Sequence, residues 1–142
     1  MSMVAKVSGA CLCGAVKYSS EADLDHAHAC HCKMCQKAGG VCPSAKCTAP
    51  LVFENEDTLG VYKSSDWGER LFCSVCGSSL AWRMQDGSLV FVAVGTLDDA
   101  SEVKFESQIF IDHKPDYYNF AEETHNMTEA EVLAAFAEQT NG

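Results

Sequence analysis

Seven of the nine cysteines in this chain fall in three tight clusters, Cys11-x-Cys13, Cys30-x-Cys32-x-x-Cys35 and Cys73-x-x-Cys76. Thiolates at these spacings are soft ligands for a tetrahedral metal. A Cys-x-x-Cys knuckle closed by glycine, as in Phe72-Cys73-Ser74-Val75-Cys76-Gly77, is the sequence form of a zinc site. Zinc–sulfur bonds of about 2.3 Å set neighbouring tetrahedral sulfurs roughly 3.8 Å apart. No pair of cysteines can surround an ion alone, so the clusters must meet in space. The count allows two zinc ions: one in a closed four-sulfur site and one in a three-sulfur site. A closed shell holds a fold together, whereas an open one leaves a position at which chemistry can occur.

In an extended segment, residues two apart share a face. Cys11 and Cys13 can therefore point at one ion, with Gly14 letting the chain turn. Cys73 and Cys76 supply two further ligands, and Gly77 suits a tight turn that aims backbone N–H groups at the sulfurs. This site would tie the N-terminal segment to the middle of the chain. Cys30, Cys32 and Cys35 can converge on a second ion, leaving a fourth position for water or an outside thiol. The competing reading is that Cys42 or Cys47 closes that shell and makes a second structural site; otherwise each is a small buried hydrophobe. His31 alternates away from its flanking cysteines and is expected not to be a ligand. His26 and His28, on the strand leading in, are read as surface or packing residues, and His113 and His125 carry no spacing signal.

The elements that must hold these residues are mostly strands. Short runs rich in Val, Phe, Tyr or Trp occur at 15–19, 45–48, 59–63, 70–72, 79–83, 89–94 and 105–111, separated by turn formers. Asp86-Gly87 between two such runs predicts a hairpin. The pattern predicts a mainly β, largely antiparallel domain. A helix over about 128–140 is predicted from Thr128 and Glu131, which form a capping box ahead of an Ala-rich run. Val132, Leu133 and Phe136 would share one of its faces and dock on the sheet.

A length of 142 residues suits one domain spanning 1–142 with a core of its own. The formal net charge of −10 argues against a nucleic-acid partner. Seven thiolates on two zinc ions would carry it to about −13. An anionic substrate would then need a local basic pocket, for which Lys33, Lys37, Lys46, Lys63, Arg70 and Arg83 are the candidates. Lys33 and Lys37 lie nearest the ligand loop in sequence. The apolar runs are far short of a membrane span. Residues 1–9 show no apolar secretory region, and an odd cysteine count fits no disulfide framework, so a cytoplasmic protein is expected.

Four segments occur in an order that resembles a known family. They are Gly9-Ala10-Cys11-Leu12-Cys13-Gly14-Ala15-Val16-Lys17-Tyr18, Cys30-His31-Cys32-Lys33-Met34-Cys35, Phe72-Cys73-Ser74-Val75-Cys76-Gly77-Ser78 and Val94-Gly95-Thr96-Leu97-Asp98. Over about residues 8–120 the chain resembles the glutathione-dependent formaldehyde-activating enzymes, a family that includes centromere protein V. The resemblance implies an Mss4-like β-tent of antiparallel sheets around zinc. It implies structural zinc at Cys11, Cys13, Cys73 and Cys76, and a second, catalytic zinc at Cys30, Cys32 and Cys35, where a glutathione adduct would act. Two places depart from the family's pattern: Cys42 after the Gly39-Gly40 pair, and Tyr117-Tyr118 where many members place a tryptophan near the pocket.

These observations lead to a zinc-dependent carbon–sulfur lyase acting on glutathione or its adduct, such as S-hydroxymethylglutathione. An open zinc position lowers the pKa of a bound thiol and polarises a carbonyl. No Ser/His/Asp set or paired carboxylates compete for the role. The alternatives are a non-catalytic zinc-binding module on the same fold and a methionine sulfoxide reductase. The latter would need Cys42 or Cys47 as reactive thiol, and the Cys-x-Cys pairs count against it.

Overall fold

β-Branched and aromatic residues at period two favour a pleated, half-buried surface, and strands dominate the computed structural model, which describes residues 4–39 and 42–141. In chain order the strands are β1 (Val4–Ala10), β2 (Lys17–Asp23), β3 (Ala27–Cys30), β4 (Ser44–Lys46), β5 (Val52–Phe53), β6 (Leu59–Tyr62), β7 (Gly68–Cys73), β8 (Ser79–Met84), β9 (Val90–Ala93), β10 (Phe105–Ile109) and β11 (His125–Met127). Two helices accompany them, α1 (Lys33–Gly39) and α2 (Glu129–Asn141). The ends of the expected 1–142 span, and Gly40 and Val41 beside Cys42, lie outside the described residues.

β1, β2 and β5 form a small sheet, while the large one runs in the order β11-β10-β3-β4-β9-β8-β7-β6. Val16, Tyr18, Ala22 and Leu24 from the small-sheet side meet Ala45, Leu71, Leu80 and Val92 from the large one. The core is therefore the space between the two sheets. Tyr18 and Thr96 hydroxyls bond at 2.7 Å, and Ser8 donates to Asp98 at 2.7 Å, fastening the Val94–Asp98 motif to the β1–β2 hairpin.

The expected hairpin forms between β8 and β9, with Gly87 at φ 80°, a left-handed turn that glycine adopts without cost. Most strand pairs are antiparallel, but β10 runs parallel to both β3 and β11. Parallel neighbours need long crossovers, and the long stretch from β3 to β10 provides one, invisible to a local reading. The helix α1 is also unpredicted: none of its residues is buried, so it carries no apolar period.

The capping box of α2 forms as expected, Thr128 N–H donating to Glu131 at 3.0 Å and Glu131 N–H to Thr128 Oγ1 at 3.2 Å. The docking differs. The helix rests on β11 and the 111–113 turn, Phe136 meets the Trp67 ring at 6.1 Å, and Leu133 faces solvent. No helix among the described residues is long and apolar enough to cross a membrane.

Candidate metal centres and the adjoining cavity

The first cysteine group joins two chain reversals. Cys11 and Cys13 occupy the β1–β2 connection, while Cys73 ends β7 and Cys76 lies in the turn into β8. The segment carrying Cys11 and Cys13 is a turn rather than the extended piece expected. Gly14 N–H donates to the Cys11 carbonyl at 3.2 Å, and Gly14 sits at φ 82°. Reversal of the chain, instead of pleating, brings the two sulfurs within 3.6 Å and leaves Leu12 exposed between them. Cys13 Sγ lies 3.8 Å from Cys73 Sγ, and all four sulfurs fall within 4.8 Å of one another. These are the edges of a thiolate tetrahedron around zinc, so the donor set fits the ion.

Backbone donors line this group. Val16 N–H donates to Cys11 Sγ at 3.3 Å and Cys76 N–H to Cys73 Sγ at 3.5 Å. Ser78, a residue to which sequence reasoning gave no role, places its hydroxyl 3.1 Å from Cys76 Sγ and accepts the Leu12 N–H at 3.0 Å. The Ser78 hydroxyl and then its backbone hold the Cys76 thiol down to about 5. Negative sulfur is thus favoured at Cys76.

The second group is local. Cys30 ends β3, Cys32 precedes α1, and Cys35 lies in its first turn, accepting order from a Cys35 N–H donated to Cys32 Sγ at 3.3 Å. The three sulfurs lie within 4.8 Å of one another, again a spacing that fits thiolates on one ion. Hydrogen bonds from Cys30 and then Cys35 hold the Cys32 thiol down to about 2, and the Arg70 charge adds to the effect. The same contact with Cys32 pushes Cys30 up. A divalent ion held by these sulfurs would displace their protons.

The two lone cysteines separate clearly. Cys47 is buried in the core and pairs with Ala22 across an isolated bridge, far from any role in the second group. Cys42 lines the same cavity as Cys30 and Cys35 but is outside the three-sulfur group.

His31 is fully buried and turned from the sulfurs, as its alternation predicts. Its Nε2 lies 2.8 Å from Gln108 Oε1, and the Tyr118 hydroxyl lies 3.2 Å from its Nδ1. Gln108 in turn donates to Thr124 Oγ1 at 2.8 Å. Tyr118 therefore packs on His31 and is not among the cavity-lining residues. The ligand loop is clamped from behind: His31 N–H donates to the Ile109 carbonyl, and Gln36 Nε2 donates to the carbonyls of His31 (2.6 Å) and His113 (3.1 Å). Gln36 carried no sequence signal, because its partners are backbone carbonyls, one of them 77 residues along the chain.

A cavity of about 350 Å³ opens beside the second group. Cys30, Cys35 and Ala38 line it together with Arg70 of β7, Trp82 of β8 and Phe91 of β9. Lys33 and Lys37 are exposed and absent from its lining. Sequence proximity pointed to those lysines; strand register instead brings Arg70 to the sulfurs.

The family model for the glutathione-dependent formaldehyde-activating enzyme matches residues 6–113. An uncharacterised lyase of Schizosaccharomyces pombe is 34% identical over 128 residues, spanning 88% of this chain and 93% of the relative. A crystal structure of a Rhodobacter sphaeroides protein superimposes with a TM-score of 0.55 at 24% identity. It covers 69% of this chain and 98% of its own, a likeness of fold alone.

Proposed function

The chain belongs to the glutathione-dependent formaldehyde-activating enzyme family, and on that premise we propose that it is a zinc-dependent carbon–sulfur lyase. Its substrate would be a glutathione-type thiol adduct, with S-hydroxymethylglutathione as the type case. In the direction of synthesis the thiol S–H adds across the carbonyl of formaldehyde: a C–S bond forms and the proton passes to oxygen. The lyase direction reverses both changes.

In this reading Cys11, Cys13, Cys73 and Cys76 hold a structural zinc, and Cys30, Cys32 and Cys35 hold a second. Bound there, the second ion would supply Lewis acidity, which favours thiolate at neutral pH and polarises a carbonyl. The chain's own residues do the rest. Gln36 and the buried His31 hold the ligand loop against the sheet. Trp82 and Phe91 give the cavity apolar walls that limit water around the reacting groups. One observation carries the reading: the second group has three sulfurs rather than four, and two of its cysteines line a cavity in the size range of small-molecule sites. A cytoplasmic location belongs to the same proposal, since all nine cysteines are free and metal-ligating thiols need a reducing compartment.

The test is the initial rate of S-hydroxymethylglutathione formation from formaldehyde and glutathione, followed by NMR, with zinc content measured on the same samples. The expected result is a rate above the uncatalysed background with two zinc ions per chain, and loss of that rate in Cys35→Ser with one ion retained. Two ions and no rate above background would identify a metal-binding module instead.

A further inference from the structure

Side chains alternate along β7, so neighbouring residues face opposite ways. Glu69 turns into the protein and takes the Arg83 Nε at 2.6 Å. Arg70, next in sequence, turns into the cavity beside Cys30 and Cys35. Cross-strand register sets it between Tyr62 of β6 and Trp82 of β8, with Phe91 following on β9. Its Nη2 lies 3.6 Å from Cys35 Sγ, and its Nε is buried without a hydrogen-bond partner. No carboxylate among the described residues lies within ion-pair distance of it.

The surroundings sharpen the contrast. The chain carries 20 Asp and Glu residues, yet among the described residues none lines this cavity, and Arg70 is the one Lys or Arg of them that does. Within a protein of net charge −10 this cavity, at the wall of the three-sulfur cluster, is therefore cationic and acid-free among the described residues. A half-buried guanidinium flanked by aromatic rings loses hydration and gains from an anion that replaces it. Carboxylate suits the guanidinium fork best, because two N–H groups can meet two oxygens.

We propose that Arg70 is the specificity residue of this cavity, its guanidinium receiving a carboxylate of a small thiol whose sulfur enters beside Cys30 and Cys35. The inference rests on the thiol reading above and narrows it: the site selects acidic low-molecular-weight thiols over neutral ones. The competing role for Arg70 is to stabilise the thiolates alone, through Cys35.

Calorimetry with glutathione and with its diethyl ester, on the metal-loaded protein, separates the two roles. The wild type is expected to bind glutathione about 10- to 150-fold more tightly than the diester, the range for hydrogen bonds to a charged group. Arg70→Gln should reduce that preference to near unity with zinc content and circular dichroism unchanged, and Arg70→Lys should restore part of it. If Arg70→Gln weakens both thiols alike, or leaves the preference intact, the carboxylate role is overturned while the thiol reading stands. A wild type that binds both thiols equally also overturns it, with no variant required. Binding of neither thiol by the wild type overturns the thiol reading itself.

Discussion

Replacing Cys73 by alanine probes the proposed structural zinc site at its most buried cysteine. Cys73 is 0% exposed, and Cys13, its neighbour across the centre, lies 60 residues away in sequence. An ion here would cross-link the β1–β2 connection to the β7–β8 turn. Treated as a cross-link, closure of a loop that long removes about 4 kcal/mol of unfolded-state entropy. That is a large share of a typical domain stability of about 5–15 kcal/mol. For a chain of this size it corresponds to a fall in Tm of about 10–15 °C. The second centre spans only Cys30 to Cys35, so its loop-closure contribution is smaller by about 2 kcal/mol. Zinc content and thermal melts of Cys73→Ala and Cys35→Ser, measured side by side, check the difference. Each variant should lose one ion, with the larger drop in Tm for Cys73→Ala. A Cys73→Ala protein with two ions and unchanged Tm would refute the structural role. Equal drops in Tm would refute the division of labour between the centres.

Three further outcomes follow from other parts of the fold. The His26 ring, between Asp23 at 2.8 Å and Glu106 at 3.3 Å, has its pKa raised, chiefly by the Asp23 hydrogen bond. The folded state thus binds the proton more tightly, so its stabilisation is full below about pH 6.5 and is lost as pH rises through the folded pKa. The Tm gap between wild type and His26→Gln should accordingly shrink from pH 5.5 to pH 8, and a constant gap would contradict it. At Gly60, an added Cβ would collide with the Phe72 ring, which lines the cavity. Gly60→Ala should cost about 1–3 kcal/mol and weaken glutathione binding, as melting and calorimetry would report; unchanged values for both would show that the ring gives way freely. Thr128→Ala removes a cap worth about 1 kcal/mol, and hydrogen exchange of the α2 amides should accelerate while the global Tm barely moves.

The grouping of the cysteines was legible because metal chemistry leaves its mark in spacing: a knuckle closed by Gly77 or a Cys30-x-Cys32-x-x-Cys35 run says which thiols could share an ion. Strands such as β7, β8 and β9, and the capping box at Thr128, were equally local matters of alternation, propensity and side-chain reach. The conformation of the Cys11–Cys13 segment was not, since a turn and a pleat both bring residues two apart to one side. Parallel pairing of β10 with β3 and β11, and the unburied helix α1, were also hidden, because neither depends on a short-range pattern.

What stands opposite the second cluster was a tertiary decision. Proximity in sequence favoured Lys33 and Lys37, yet the two-residue period of β7 and its register with β6 and β8 deliver Arg70 to Cys35 and send Glu69 to Arg83. The roles of Ser78 and Gln36 have the same origin, each meeting partners set in place by the packing of separate segments. Sequence alone determined which atoms could bind a metal. The sheet register decided which charge and which walls face them, because side-chain direction along a strand is set by pairing and burial rather than by neighbours in the chain.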